Sequence, residues 1–362
     1  MPRAEKLPVL SECALGLMTC ITASLSLLPV RAQRVASTAM IGGLFGLMIP
    51  PGVLVYGGLK LLDRVYFKGS ALAYVGAPLA LSYLLNVLAE KTSRRPNAPG
   101  TFRSPSSALE RRSLAFWSTH FDYFPMTVTP WAPDARLDAE ATQYVFGVHP
   151  HGIHCWPLNA FALLGSPFDR RFPGLVGARL SGLAATVIFQ IPVVRELFLS
   201  LGYLDAGRAT ADKALARGRS LYVCTGGEEE SMRSARGVDV VVLARRKGFV
   251  RLALAHGASL VPVFGAGVSD AYQTYGLALR ARMALQKATG IALPIFHGRA
   301  LTPLPYRQPI ELLVGEPIAT PAPAARGAKP DDALVDEYHA KYVAALKALH
   351  AKHVKDRVLQ VV

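Results

Sequence analysis

Sulfur chemistry is scarce in this sequence. Only four cysteines occur among 362 residues, Cys13, Cys20, Cys155 and Cys224. None pair as CxxC, so neither a disulfide framework nor a thiolate zinc site is indicated. That usage fits a reducing, cytosol-facing site. Two catalytic signatures are missing as well: GxSxG, the nucleophile elbow of serine hydrolases, and a P-loop to cradle phosphates. Acid is in short supply too, with 25 Asp and Glu against 40 Lys and Arg, a formal charge of +15. Such an excess suits an anionic partner, whether nucleic acid, an anionic bilayer surface or a phosphate-bearing substrate.

Charge is missing altogether from three early stretches, 13–30, 35–59 and 69–89, of 18, 25 and 21 residues. A bilayer crossing needs about 20 apolar residues. Residues 35–89 therefore read as a membrane hairpin, kinked at Pro50 and Pro51 and joined around Lys60, Asp63, Arg64 and Lys68. The bland alternative is a helix pair buried in a globular core. Residues 1–34 read as an apolar segment that either enters the membrane or serves as a targeting signal behind Arg3 and Lys6. Residues 90–113 are polar, basic and proline-bearing, as a linker is. Beyond them, 114–362 alternates short apolar runs with helical patterns, the rhythm of an α/β domain.

The apolar runs 144–148, 220–225, 259–264 and 310–314 read as strands, and 209–217 and 248–256 as helices. A further helix is expected after Gly152, and an amphipathic one over about 331–355 that packs on the domain. Reacting groups gather at the carboxyl ends of strands in open α/β sheets. At the first such end stands HPHG, with His149 and His151 flanking Pro150, then Gly152 and, two residues on, His154. Proline stiffens that turn and glycine lets a ligand come close. A base must be positioned before its pKa matters, and an imidazole suits that task near neutral pH. His151 is the preferred base, although the two histidines could exchange roles, and His149 would then orient Glu230 or the turn. The bland reading is a set of satisfied loop histidines. A metal site would need further ligands after later strands, and none is called for here.

The second strand runs into Gly226, Gly227 and three glutamates, of which Glu230 is placed to orient an imidazole. Backbone N–H groups near Gly152 or Gly226 are candidates to hold an oxyanion. Arg245, Arg246, Lys247 and Arg251 crowd a helix start. Cations are disfavoured at that end, so they are expected to serve an anion such as the phosphates of an acyl-CoA. The plain alternatives are a solvated acidic loop and a solvated basic face.

Taken together, several ordered blocks resemble the type-2 diacylglycerol O-acyltransferase family, which includes monoacylglycerol and wax-alcohol acyltransferases. They are YFP at 123–125, YVFGVHPHG at 144–152, RRFPGL at 170–175, GG-x-x-E at 226–230, RKGFVRLALAHGASLVPV at 246–263, IFHGR at 295–299 and VGEPI at 314–318. They cover roughly 115–355. The resemblance implies an acyltransferase-like α/β domain with a mixed sheet flanked by helices, behind an N-terminal hydrophobic membrane hairpin. It implies acyl-CoA-dependent esterification of a neutral-lipid hydroxyl at the endoplasmic reticulum, facing the cytosol, or at lipid droplets. The family's HPHG histidines fall on His149 and His151 and its acid on Glu230.

Diacylglycerol is the expected acceptor, with monoacylglycerol or a long-chain alcohol as alternatives. Acyl-CoA is a co-substrate, and no cofactor, metal or nucleic acid is expected; a homo-oligomer is left open. The distant alternatives are a metal-dependent hydrolase and a non-catalytic lipid-droplet protein. Two features depart from the family. Phe-Gly-Glu-x-Glu is replaced by FGAGVSD at 264–270, which leaves Asp270 as the acid there, and the family's lipid-binding pattern Phe-Leu-x-Leu occurs only at 198–201, beyond the HPHG block, where it reads as chance in a Leu-rich helix.

Overall fold

The computed structural model describes residues 9–46, 92–94, 105–177, 179–191, 194–289 and 292–362. Its strands are β1 (Met126–Pro130), β2 (Tyr144–His149), β3 (Leu180–Ala184), β4 (Tyr203–Asp205), β5 (Ser220–Val223), β6 (Asp239–Val241), β7 (Ser259–Ala266), β8 (Gln273–Thr274), β9 (Phe296–His297), β10 (Ile310–Val314) and β11 (Leu359–Val361). Its helices are α1 (Val9–Leu25), α2 (Val30–Gly46), α3 (Ala108–Ser118), α4 (His120–Tyr123), α5 (Leu158–Ala162), α6 (Pro167–Arg171), α7 (Val194–Ser200), α8 (Arg208–Ala216), α9 (Gly227–Arg233), α10 (Gly248–His256), α11 (Leu279–Thr289) and α12 (Asp332–His353).

Seven strands form one sheet in the order β1-β10-β7-β2-β5-β3-β4. Every pairing is parallel except β10 with β7, so the sheet is mixed as expected. β2 lies between β7 and β5, and all six of its residues are buried. This is why its sequence is apolar on both faces. Side chains alternate along a strand. Tyr144, Phe146 and Val148 join the apolar cluster on one side, with α3, α5 and α6. Val145 joins the cluster on the other side, with α8, α10 and α12. Gly147 and His149 share the parity of Val145, which directs His149 toward α12.

α10 has its expected bounds and buries Phe249, Val250, Ala253 and Leu254. It ends at Gly257, whose left-handed φ of +68° closes the helix. α12 buries Val335, His339, Tyr342, Leu346 and Leu349 along one stripe, so it packs on the sheet as its amphipathic pattern predicts. The helix expected after Gly152 starts later, at Leu158. The GGEEE stretch is no loop, since α9 opens at Gly227.

Most of the expected hairpin lies outside the described residues, which include only its first part, 35–46, in α2. Among the described residues, no helix is long and apolar enough to cross a membrane. α1 and α2 pack against α3 and α4. Thr22 and Ser113 hydroxyls meet at 2.5 Å, Ser37 and Thr119 hydroxyls at 2.7 Å, and Met18 enters the main core. α3 takes up the last residues of the basic stretch 90–113, held at its start by a Ser107–Glu110 capping box.

Candidate active site

The turn after β2 is built around one buried carboxylate. Glu230 is 1% exposed. Its Oε2 accepts the main-chain N–H of His151 at 2.5 Å, and its Oε1 accepts that of Val242 at 2.8 Å. Both bonds run from a main-chain donor to a carboxylate oxygen, a strong kind of hydrogen bond. Glu230 therefore grips the backbone of the HPHG turn, where an interaction with an imidazole was expected. Its nearest contact to a ring is Oε1 to His149 Nδ1 at 3.9 Å. Gly226 makes this possible, because a Cβ at that position would overlap the Glu230 carboxylate.

His149 is fully buried. Its peptide bond to Pro150 is cis. Its Nε2 lies 3.1 Å from the Tyr342 hydroxyl on α12 and 3.4 Å from that of Thr225. The Tyr342 hydroxyl donates to the Gly147 carbonyl at 2.9 Å, which leaves its oxygen to accept from His149 Nε2.

His151 is only part-buried. Its Nδ1 lies 2.9 Å from the carbonyl oxygen of Gly152. A carbonyl only accepts, so Nδ1 carries the proton and Nε2 is the basic nitrogen. Gly152 holds φ +60°, and a Cβ there would sit 2.7 Å from Val268 Cγ1. His154 is buried edge-on to Trp156, with ring centroids 4.2 Å apart. Burial holds its pKa well below the usual imidazole range. The three histidines of the motif thus have three different settings.

His151, His154, Cys155, Gly227 and Glu228 all border an apolar cavity of about 300 Å³. That volume lies at the small end of the roughly 300–1,000 Å³ usual for ligand pockets. Leu158 and Leu163 wall it on one side, Leu197, Phe198 and Leu201 on another, and Ala292, Pro294 and Phe296 on a third. The FLxL residues at 198–201 thus contribute Phe198 and Leu201 to the cavity wall. A more open groove of about 600 Å³, with a larger polar share than the cavity, adjoins it, lined in part by Gln190, Thr225, Glu228, Glu229, Arg246 and Gln286. Ala185, Val187, Gly227 and Glu228 belong to both. Burial raises the Glu228 carboxyl above its ordinary pKa, and the neighbouring His151 charge pulls it back.

The cations after β6 divide. Arg246 borders the groove and pairs with Glu229 at 3.3 Å. Lys247 pairs with Asp336 at 2.6 Å and Arg251 with Asp332 at 2.5 Å, so both hold α12 against α10. Arg245 is exposed, and no ion pair places it in the groove among the described residues. Asp270 stands apart from the cavity. It takes the Gly237 N–H at 2.9 Å and pairs with Arg357 at 3.0 Å. Among the described residues, no group of three or more His, Cys, Asp or Glu is arranged to hold a metal.

Reading the sequence missed Tyr342, which falls inside the amphipathic pattern of 331–355 with nothing local to mark it. The available signal was Gly147, an isolated glycine inside an apolar strand, which marks a close approach. A Cβ at Gly147 would overlap the Tyr342 hydroxyl.

Comparison with known proteins shows the family of the chain. Diacylglycerol O-acyltransferase 2B of Umbelopsis ramanniana is 34% identical over 264 residues, 68% of this chain and 74% of that protein. Diacylglycerol O-acyltransferase 2 of Bos taurus is 36% identical over 261 residues, 67% of this chain and 68% of that protein. Human 2-acylglycerol O-acyltransferase 3 is 35% identical over 262 residues, 67% of this chain and 72% of that protein. A solved structure, the 1-acyl-sn-glycerophosphate acyltransferase PlsC of Thermotoga maritima, aligns over 89% of this chain and 100% of its own at 12% identity, with a TM-score of 0.39, too low to bear on the fold. Residues 101–360 match the family described as diacylglycerol acyltransferase, and the chain belongs to that family.

Proposed function

We propose that the chain transfers a fatty acyl group from acyl-CoA to the free hydroxyl of diacylglycerol, giving triacylglycerol and free coenzyme A. The observation that carries this reading is the place of His151, on the wall of an apolar cavity that adjoins a polar groove. A fatty acyl thioester has that same division, an apolar chain on a polar carrier. The acyl chain would fill the cavity and the carrier would lie along the groove, with Arg246 at its side.

The acceptor hydroxyl then attacks the thioester carbonyl while His151 Nε2 takes its proton. A tetrahedral oxyanion forms and collapses, the C–S bond breaks, and the coenzyme A thiolate leaves, taking up the proton that His151 holds. Glu230 acts through the backbone by fixing the turn that carries His151. The His151 N–H is already donated to Glu230, so the oxyanion needs other donors, and main-chain N–H groups near Gly152 and Gly226 are the candidates. Removing such a donor from an enzyme costs about 10²–10³ in kcat.

Lipid acceptors lie in a bilayer, which suits a chain whose uncharged stretches at 35–59 and 69–89 are long enough to enter one. We place it at the endoplasmic reticulum membrane or a lipid droplet, with its site toward the cytosol. The similarity to a 2-acylglycerol acyltransferase gives monoacylglycerol as the second acceptor to test. Microsomes from a host that lacks neutral-lipid synthesis supply the assay. Labelled oleoyl-CoA is offered with diacylglycerol, monoacylglycerol or fatty alcohol, to wild type and His151→Ala. Labelled triacylglycerol from wild type alone is expected. No ester from well-expressed wild type with any acceptor would overturn the reading.

A further inference from the structure

Between β7 and β10 the chain leaves the sheet on a long excursion that carries α11 between the antiparallel strands β8 and β9. Residues 271–310 contain no Asp or Glu, yet they hold Arg280, Arg282, Lys287, Arg299 and Arg307. Large apolar side chains on this excursion face solvent. Leu301 is 79% exposed, Leu277 72%, Tyr275 47%, Leu293 43% and Ile295 39%. Single exposed apolar residues are ordinary, but a patch of them beside unbalanced positive charge marks an interaction surface.

Four of these residues stand on adjoining backbone. The buried Arg282 guanidinium donates to the carbonyl oxygens of Tyr275 at 2.9 Å, Leu277 at 2.9 Å and Leu293 at 2.8 Å. The Tyr275 N–H donates to the Ile295 carbonyl at 2.9 Å. Arg282 spends its charge inside this knot, whereas Arg280 and Lys287 are exposed, two helical turns apart and so on one face of α11. Arg299 is exposed as well, two residues from Leu301.

The same segment is a wall of the cavity. Ala292, Pro294 and Phe296 line the apolar cavity. Leu293 and Ile295, between them, are exposed. That alternation is the period of an extended chain. The wall is one residue thick and apolar on both faces.

We propose that this excursion is a docking face for the anionic leaflet of a bilayer. Its apolar side chains sit among the acyl chains, with Tyr275 at the headgroup level, where tyrosine is favoured. Arg280, Lys287 and Arg299 meet the lipid phosphates and carboxylates. A lipid then passes between leaflet and cavity without crossing bulk water. This rests on the reading above that the substrates are lipids.

The test uses the whole chain in phosphatidylcholine vesicles, with and without phosphatidylserine. Leu277→Trp adds a fluorophore to the exposed face. Lipids brominated on their acyl chains should quench the added emission, more strongly with phosphatidylserine present, and Arg280→Glu with Lys287→Glu should remove that difference. No quenching overturns the proposal, as does a Trp shift that depends on protein concentration alone, which would mean a second copy covers the face. This readout needs no catalysis, so it stands apart from the fate of the acyltransferase reading.

A kinetic arm follows with Leu277→Asp. Its KM for long-chain diacylglycerol in vesicles should rise about tenfold, while turnover of dispersed dioctanoylglycerol stays at the wild-type rate. Equal losses on both acceptors, or no change on either, overturn it.

Discussion

Tyr342 and His149 lie 193 positions apart in sequence, yet the Tyr342 hydroxyl sits 3.1 Å from His149 Nε2. The same hydroxyl is 2.9 Å from the Gly147 carbonyl, so one group on α12 fixes both the end of β2 and the ring it delivers. Tyr342→Phe keeps the packing and removes only the hydroxyl. A hydrogen bond is worth about 0.5–1.5 kcal/mol, so kcat should fall about two- to twelvefold with KM for acyl-CoA little changed. In a His149→Ala background the same substitution should cost less, because only the bond to the Gly147 carbonyl is left to lose. Losses that simply add would show that Tyr342 does not act through His149.

Gly147→Ala tests the same contact from the other side. The new methyl overlaps the Tyr342 hydroxyl and ring. Overpacking of this kind costs about 1–3 kcal/mol. A lower Tm is expected, together with the kinetic defect of Tyr342→Phe. Wild-type kcat in Gly147→Ala would contradict the role given to this contact.

Glu230→Gln should be far worse than Glu229→Gln. Glu230 accepts two main-chain N–H groups, from His151 and Val242. A glutamine has one carbonyl oxygen, so its amide N–H₂ must face one of those donors. The expected cost is about 1–3 kcal/mol of stability, with a loss of turnover as the turn loosens. Glu229 pairs with Arg233 and Arg246 near the surface. Its neutralisation should cost no more than about 1 kcal/mol. Thermal melts and initial rates of the two variants decide the matter.

The basic cluster gives a third contrast. Arg246→Ala should raise KM for acyl-CoA, because Arg246 borders the groove. Lys247→Ala and Arg251→Ala should leave that KM alone and shift Tm by no more than about 2 °C, as expected for exposed ion pairs. A common rise in KM for all three would return the whole cluster to the acyl-CoA.

Acid should weaken the fold through His120. This ring is fully buried beside α3, its Nδ1 donating to the Trp117 carbonyl at 2.5 Å. Burial lowers its pKa from 6.5 to about 4. Above 6.5 the imidazole is neutral in both folded and unfolded chains. As pH falls from 6.5 to about 4, only the unfolded chain takes up the proton, so stability is lost across that window, by up to about 3 kcal/mol. Tm measured from pH 7 to pH 4 should fall less steeply in His120→Phe. Parallel slopes would rule His120 out as a source of the acid sensitivity.

How much of this was legible in the sequence follows from where each signal is stored. β2, β10 and α10 were readable because their apolar periods are local and their ends carry glycine or polar breaks. The mixed sheet was expected, although β3 and β4 were not read, being short and set in an apolar, weakly periodic stretch. HPHG announced itself through its proline and glycine. The work of Glu230 did not, since nothing in GGEEE says that its third glutamate turns back to a main-chain N–H 79 positions earlier. The roles of Lys247 and Arg251 were hidden for the same reason. Their partners Asp336 and Asp332 lie more than eighty positions away, on a helix whose docking is set by the fold.

The span between His149 and Tyr342 also sets a clock. A ribosome adds about 5–20 residues per second, so roughly 10–40 s separate synthesis of the histidine turn from synthesis of the hydroxyl that steadies it. During that interval the residues of β2 are already in the nascent chain, but the hydroxyl that holds the His149 ring is not. The ring is secured only when α12 docks, which ties the onset of activity to the completion of the sheet's second layer.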